Sequence, residues 1–253
     1  MWEHLKQEQK EKYKTLITNF ASLSEAFSQK AENEDFDDLE SYVAPIVNSK
    51  FQETVFQKAF HAVGEDIANT SYDASLVVDE QHKYLVGIKS FGLDSGDQKI
   101  AQFKKDSQSW NELLSEIRFH ADSSPDKETA DKENDARYEK LAREIATLRN
   151  QRIESSKALI KGFHSDAGHV EAVYHVLMPT SKGHKPQIHV GETTYLPVDL
   201  DHLKILGSTT KNNPTNFRFT DGHHDYKYTA ADSQLHMTFR NKEIVVDTWD
   251  VNY

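Results

Sequence analysis

The sequence predicts a mixed α/β fold, with helices and strands alternating along a chain of 253 residues. In the first quarter, apolar residues recur at helical spacing, as in "FQETVFQKAF" from residue 51. The stretch "YDASLVVDEQHKYLVGIKSFG", residues 72–92, has the pattern of a strand, a turn and a strand. The last third alternates between apolar and polar residues with period two. These observations predict helices first, a hairpin next and a β-rich end.

The N-terminal part contains two predicted helices and the hairpin. Residues 3–30 carry apolar side chains on one stripe, and 1–45 is interpreted as an N-terminal helical extension. A second helix is predicted over 48–67, capped by Asn48 or Ser49, whose side-chain oxygens accept hydrogen bonds from the first-turn N–H groups. Strands are expected at 74–78 and 84–91, joined by the five-residue loop "DEQHK".

The middle of the chain is predicted to be helical, with one interruption. "SGDQKIAQFKKDSQSWNELLSEIRFH" is interpreted as a helix that begins at Ser95 or Asp97 and ends near residue 119. Residues 121–135 hold few apolar side chains and predict a mobile acidic linker. A long basic helix is expected over 136–162.

The C-terminal part, 169–253, is predicted to be rich in strands. "VEAVYHVLMP" at 170–179 is typical of a buried strand, and 187–198 of two short strands. Residues 216–251 indicate a β meander that contains an Asp221-Gly222 turn. The chain length suits one sizeable core, so we expect a single domain over 1–253.

Composition limits the class of protein. The net charge is −11, there is no cysteine, and no apolar run approaches the roughly 18 residues that span a bilayer. The start of the chain has no signal-peptide pattern, so we expect a cytoplasmic protein. The acidic balance disfavours a non-specific coat for nucleic acid, whereas the locally basic segments at 89–105 and 137–164 suit either a DNA-binding cleft or ordinary solvated helix faces.

The hairpin carries the charges with the clearest chemical meaning. Asp73 stands at the entry of the first strand and Lys89 near the exit of the second, so the two ends meet at one sheet edge. A lysine inside the apolar "YLVGIKSF" must place its ammonium in water or beside a carboxylate. A structural ion pair satisfies that need. A site in which the carboxylate holds a divalent metal and the lysine orients a water molecule satisfies it equally.

The order of these elements resembles the PD-(D/E)XK nuclease superfamily, in particular type II restriction endonucleases. "FQETVFQKAF" resembles the first core helix, "YDASLVV" the aspartate strand, "YLVGIKSFG" the lysine strand, and "DQKIAQF" the helix that follows. The resemblance covers about residues 49–119 and rests on short motifs. It implies a restriction-endonuclease-like core, a small mixed sheet flanked by helices. It also implies a Mg²⁺ held by Asp73, Glu53 and the Ile88 carbonyl, with Lys89 positioning the attacking water.

The sequence departs from the family at one position. The family's acid two residues before the lysine is Gly87 here. An active enzyme then needs a replacement carboxylate, and Glu53 on the preceding helix is the expected one. Asp79 and Glu80 are interpreted as turn residues. A lost site that still binds DNA is the other interpretation of Gly87.

Polar residues on the segment after the lysine strand and on later loops are candidates for DNA contact. Amide side chains pair with adenine, and basic side chains pair with guanine or phosphate. The candidates are Gln98, Lys99, Gln102, Lys182, Lys185, Asn216, Arg218, His223 and His224.

The sequence therefore predicts a Mg²⁺-dependent, sequence-specific endonuclease that hydrolyses phosphodiester bonds in double-stranded DNA. We expect a homodimer, since two-fold symmetric proteins match palindromic sites. One alternative is a catalytically inactive DNA-binding module on a nuclease fold that senses modified DNA. The second is a protein-interaction scaffold in which the hairpin is ordinary sheet.

Overall fold

The computed structural model describes residues 1–23, 42–65, 71–160, 163 and 169–252, and confirms the mixed α/β class. The helices are α1 (Gln7–Ser22), α2 (Ser49–Phe60), α3 (Asn111–Asp122) and α4 (Lys127–Leu159). The strands are β1 (Val63–Gly64), β2 (Ala74–Asp79), β3 (His82–Ser90), β4 (Gln98–Gln102), β5 (Val170–Pro179), β6 (Gln187–Thr194), β7 (Lys204–Thr210), β8 (Asn213–Thr220), β9 (Asp225–Thr229), β10 (Gln234–Met237) and β11 (Val245–Asp250).

The chain divides into two compact units where we expected one domain. The first unit comprises Met1–Ser95, Arg152–Leu196 and Arg240–Tyr253. The second comprises Gly96–Gln151 and Pro197–Phe239. Each unit has its own sheet, and a sheet with one buried face can support a core of its own. This division could not be predicted from the sequence, because one of its boundaries, between Gln151 and Arg152, lies inside the long helix rather than in a linker.

The first unit is built on a six-stranded mixed sheet of order β1-β2-β3-β5-β6-β11. β3 and β5 are parallel, in a register that pairs Val86 with Val173, and the other neighbours are antiparallel. Parallel neighbours need a long crossover connection, which here includes Gly96–Gln151 of the second unit and the end of α4. A small mixed sheet with helices is the core that the sequence predicted.

Helices α1 and α2 pack on one face of this sheet. Asn48 caps α2, since its Oδ1 accepts the Phe51 N–H at 2.9 Å, as predicted. The two helices bury apolar side chains against the strands, among them Tyr13, Ile17, Val55, Phe56 and Phe60. The segment predicted as an extension therefore begins as part of the core, and its remainder over 24–41 lies outside the described residues.

A histidine lies at the centre of this core. His175 on β5 is fully buried, and its Nε2 lies 2.8 Å from the Tyr13 hydroxyl. The indole of Trp2 stacks on its ring with centroids 5.7 Å apart. Burial lowers the pKa of His175 to about 3, so the ring is neutral at neutral pH.

The second unit is an antiparallel sheet of order β4-β10-β9-β8-β7. One face is apolar and fully buried, with Phe217, Phe219 and Tyr228 on it. Tyr138 of α4 stacks on Phe217 at 4.7 Å between centroids and donates its hydroxyl to the Pro214 carbonyl at 2.6 Å. The alternating pattern of the meander and its Asp221-Gly222 turn are thus confirmed, although β11 belongs to the other sheet.

The helix predicted from Ser95 or Asp97 to residue 119 is wrong in its first half. Gln98–Gln102 is the edge strand β4, paired with β10 through a bulge, and α3 begins only at Asn111. Ala101 and Phe103 are buried while Gln102 between them is half-buried, which is period-two alternation. The short run fitted both periods, and pairing with a distant strand decided between them.

The mobile acidic linker over 121–135 is also contradicted. Its first two residues end α3, and α4 begins at Lys127 rather than at 136. Asp126 accepts the Thr129 N–H at 2.7 Å, and acids in a first helical turn complement the helix dipole. Ala130, Asn134 and Tyr138 are buried at four-residue spacing, so few apolar residues suffice to fix this helix.

Two further predictions, one of a hairpin loop and one of a pair of short strands, differ from the structure. The hairpin turn between β2 and β3 has two residues, 80–81, because β2 and β3 extend to an Asp79–His82 pair. Residues 187–194 form one strand rather than part of a pair of short strands. The β-rich character of 169–253 is confirmed.

Candidate functional site

Asp73 lies immediately before β2 and beside β3. Its Oδ2 accepts the backbone N–H of Ile88 at 2.6 Å, and its own N–H donates to the Val86 carbonyl at 2.9 Å. The next residue, Ala74, is the register partner of Val86. The antiparallel hairpin therefore brings the Asp73 carboxylate to the residue that precedes Lys89, as the sequence predicted.

Lys89 projects from the sheet face that α1 and α2 do not cover. Tyr84, Val86 and Ile88 belong to the core under those helices, so by alternation Gly87 and Lys89 point to the other face. The Lys89 side chain is half-buried. Its backbone carbonyl accepts the side-chain amide of Gln52 at 3.2 Å, which ties the end of β3 to α2.

Steric contacts explain why residue 87 is a glycine. A Cβ at this position would lie 2.9 Å from Tyr195 Cε2 and 3.0 Å from Tyr174 Cδ1. These two rings stack with centroids 4.1 Å apart, and the Tyr195 hydroxyl donates to the Ser71 carbonyl at 3.0 Å. An acid at position 87 therefore has no room, because two aromatic rings occupy the space that its side chain needs.

Glu53 is the second metal ligand that the resemblance implies. It lies on α2, the helix that packs on the opposite sheet face from Lys89, and its carboxylate pairs with Lys50 at 3.4 Å. The neighbouring Gln52 is the residue that reaches the lysine strand. Convergence of Glu53 with Asp73 and Lys89 stays a prediction.

Sequence reasoning missed an acidic residue whose backbone is bonded to Asp73. Glu65 donates its backbone N–H to the Asp73 carbonyl at 3.0 Å, and its Oε1 accepts the Ser75 hydroxyl at 2.6 Å. Ser75 alternates with the core residues Ala74 and Leu76, so it points to the same face as Lys89. In the sequence, Glu65 is one acidic residue near the end of the helix predicted over 48–67, and nothing else indicated that it would lie beside Asp73.

The donor set consists of oxygen atoms, which suit a hard cation such as Mg²⁺. Within a strand, the N–H and C=O of one residue point to the same side, so the Ile88 carbonyl faces the side on which Asp73 lies. Mg²⁺ is usually held by one or two carboxylates, with water and substrate phosphates completing its shell. Among the residues that the structure describes, no group of three or more His, Asp or Glu has a metal-binding arrangement. A site here therefore rests on two carboxylates and a carbonyl.

The predicted DNA contacts separate between the two units. Lys182 and Lys185 belong to the first unit, where both side chains are exposed and the Lys185 ammonium lies 3.1 Å from Asp250. The other seven belong to the second unit. Asn216 accepts the Ala230 N–H through its side chain at 3.1 Å, and Arg218 pairs with Asp97 at 2.7 Å.

Gln98, Lys99 and Gln102 lie on the strand β4, which corrects their assignment to a helix. The Lys99 ammonium donates to Gln102 Oε1 at 3.2 Å, and the Gln102 amide donates to the Asp232 carbonyl at 3.0 Å. The Gln98 amide donates to the Gly96 carbonyl at 3.0 Å. Strand pairing, not a helix face, therefore decides which way these side chains point.

His223 and His224 belong to a tight turn. Both backbone N–H groups donate to Asp221 Oδ1, at 2.9 and 2.8 Å, and Gly222 takes a φ of 84°. The His223 ring lies 3.7 Å from the Asp199 carboxylate. The two hydrogen bonds to Asp221 stabilise this turn. The His223 ring is exposed, and its contact with DNA stays a prediction.

In comparisons with known proteins, no family model, no curated protein and no solved structure matches the chain. Through the described parts of the chain, no helix has the length and apolarity needed to cross a bilayer.

Proposed function

We propose that the chain is a Mg²⁺-dependent endonuclease of the PD-(D/E)XK type that cleaves double-stranded DNA at specific sites. The observation that carries this proposal is the hydrogen bond from the Ile88 N–H to the Asp73 carboxylate. It holds a carboxylate at a fixed place beside the strand that bears Lys89, which is the arrangement that the resemblance implies.

Asp73 and the Ile88 carbonyl would hold the metal from the protein side, together with a second carboxylate. We assign that carboxylate to Glu65, because its backbone bonds to Asp73 and its side chain reaches the face of Lys89. Glu53, predicted from sequence, is the competing assignment. When bound, Mg²⁺ supplies charge stabilisation at the attacked phosphate.

Lys89 orients the water that attacks phosphorus and stabilises the negative charge that develops on the phosphoryl oxygens. The water oxygen forms a new bond to phosphorus and loses a proton. The bond from phosphorus to the leaving oxygen breaks, and that oxygen takes up a proton. The products are one strand end with a phosphate and one with a hydroxyl.

The test is cleavage of a mixed plasmid and phage DNA panel with Mg²⁺ and with EDTA. Wild type should give discrete fragments with Mg²⁺ alone. Asp73→Asn should lose at least about 10²-fold in rate, because it removes a metal-binding charge. Asp79→Asn, at the turn end of the same hairpin, is the matched control and should cut normally.

The inactive DNA-binding module remains a second candidate function, favoured by the two tyrosine rings that fill the acid position at Gly87. It predicts binding without cleavage on any DNA, methylated or not. A homodimer on a palindromic site and a cytoplasmic location are part of the proposal, and sedimentation of the protein with and without DNA tests the dimer.

A further inference from the structure

The second unit presents a sheet face with a row of basic side chains. Arg218 of β8 pairs with Lys227 of β9, Lys227 with His236 of β10, and His236 with Lys99 of β4. Register partners on neighbouring strands point to the same face. These four side chains, here called the basic row, therefore run side by side across four strands.

The basic row lies on the face opposite the buried apolar side chains of this sheet. Phe217, Tyr228 and Leu235 alternate with members of the row along their strands and are fully buried. Lys99 is exposed, whereas the other three members are half-buried. The sheet thus packs one face in the core and presents the polar groups of the other face to solvent.

A nearly buried carboxylate fixes two members of the row. Asp97 has a side chain that is 10% exposed and lies 2.7 Å from Arg218 Nη2 and 3.7 Å from Lys227 Nζ. Its other oxygen accepts the Thr238 hydroxyl at 2.6 Å. Burial alone would raise the pKa of Asp97, but the Thr238 hydrogen bond and the Arg218 pair outweigh it and keep the pKa below its usual value.

This face carries a small net positive charge, because its three cations outnumber the two acids Asp97 and Asp225. Asp97 lies deeper than the cations that it orients, and Asp225 is the acid at the start of β9 on the same face. His236 is neutral at neutral pH, because burial and then the charge of Lys227 lower its pKa. Three cations on one face stand out in a chain of net charge −11.

The dimensions of the row suit a nucleic-acid backbone. Strands are about 4.8 Å apart, so the four positions span about 14 Å. One DNA strand carries a phosphate about every 3.4 Å along the helix axis, so a line of about 14 Å passes about four phosphates, enough to engage the three cations of the row. A row of cations on a fixed sheet is complementary to such a regular line of negative charge.

We propose that this face of the second unit binds the phosphate backbone of double-stranded DNA, with Lys99, Lys227 and Arg218 as the phosphate contacts. The choice of DNA as partner rests on the proposed function, while binding itself needs neither the metal nor cleavage. Lys227 is a contact that the sequence did not single out, and His236 is a neutral neighbour within the row.

The experiment is fluorescence anisotropy of a labelled DNA duplex in EDTA, titrated with the full chain at several salt concentrations. The variants are Lys99→Gln, Lys227→Gln and the double variant, with Lys140→Gln on the exposed side of α4 as matched control. Each lost contact should weaken binding and flatten the slope of log K against log salt by about 0.9, and the double variant by about 1.8. Lys140→Gln should leave both unchanged.

The outcomes separate this inference from the nuclease proposal. Wild-type slopes in the double variant, with a matched melting temperature, would overturn the basic row as a DNA contact whether or not the protein cuts DNA. The absence of duplex binding by wild type would overturn it as well. Weakened binding by the lysine variants of a protein that never cleaves would support the row and count against the nuclease.

Discussion

The carboxylate of Asp73 accepts the backbone N–H of Ile88 at 2.6 Å, one residue before Lys89. A carboxylate held in this way has one defined orientation, which a solvated surface aspartate lacks. The hairpin backbone thus holds an acid beside the lysine strand. Our account of the protein as a nuclease depends on this relationship.

The first prediction concerns Gly87. Gly87→Ala should lower the free energy of unfolding by about 1–3 kcal/mol, because its Cβ would approach Tyr195 to 2.9 Å and force the ring to move. Urea denaturation measures this. Gly92→Ala is the matched control, since its Cβ would meet nothing within 4 Å. Equal stability of the two variants would refute the steric explanation.

Gly87→Asp restores the family's acid and should lose stability without gaining cleavage activity. Its side chain would collide with the stacked Tyr174 and Tyr195 rings. A rise in Mg²⁺-dependent cleavage by this variant would show that the acid position still belongs to the metal site.

The second prediction separates the two carboxylate assignments. Glu65→Gln should raise the Mg²⁺ concentration needed for half-maximal cleavage, because it removes a charged ligand beside Asp73 while keeping an acceptor for Ser75. Glu53→Gln should affect only its pair with Lys50. If Glu53→Gln shifts the Mg²⁺ requirement and Glu65→Gln does not, the assignment from sequence is right and ours is wrong.

The third prediction concerns pH and His175. Its folded pKa is about 3, below the ordinary 6.5, so below pH 6.5 the unfolded chain binds more protons at this site than the folded protein. This contribution to stability is complete above pH 6.5 and decreases as the pH falls towards 3. Urea unfolding at a series of pH values should show that loss.

A variant isolates the effect of His175. His175→Gln keeps an amide to hydrogen-bond Tyr13 but cannot titrate, so its stability should vary less between pH 6.5 and 4.5. His61→Asn serves as control, because that ring is exposed and asparagine tolerates the left-handed backbone of this position. An unchanged pH dependence in His175→Gln would assign acid sensitivity to other groups.

The fourth prediction concerns Asp97 in the second unit. Asp97→Asn should cost about 1–3 kcal/mol, because Arg218 and Lys227 lose the carboxylate that pairs with them. Since the folded pKa is lowered, this stabilisation is present above the unfolded pKa of 3.8 and is lost as the pH falls through the folded value. Thermal unfolding at neutral pH compares the variant with Asp79→Asn, an exposed carboxylate that should cost less.

Much of the fold follows from local patterns. The hairpin, the α2 cap at Asn48 and the C-terminal meander were predictable because period, turn residues and caps are set by neighbours in sequence. Gln98–Gln102 was mispredicted because five residues fit both helix and strand periods. Its pairing with β10, far along the chain, decided the outcome.

Part of the candidate site was likewise predictable from local sequence, and part depended on residues that are distant in the chain. The neighbourhood of Asp73 and Lys89 followed from hairpin geometry alone. Glu65 was missed because a backbone hydrogen bond to Asp73 places it, and no side-chain pattern reports such a bond. The need for glycine at position 87 could not be predicted, because the rings that require it, Tyr174 and Tyr195, are distant in the sequence.

The most direct test of the nuclease is the cleavage of plasmid and phage DNA by Lys89→Ala beside Lys83→Ala. Both lysines lie on β3, but only Lys89 is next to the residue that holds the Asp73 carboxylate. Our account predicts discrete fragments from wild type and Lys83→Ala with Mg²⁺, and none from Lys89→Ala, which should still bind DNA. Equal cleavage by all three proteins, or no cleavage by wild type on any substrate, would contradict it.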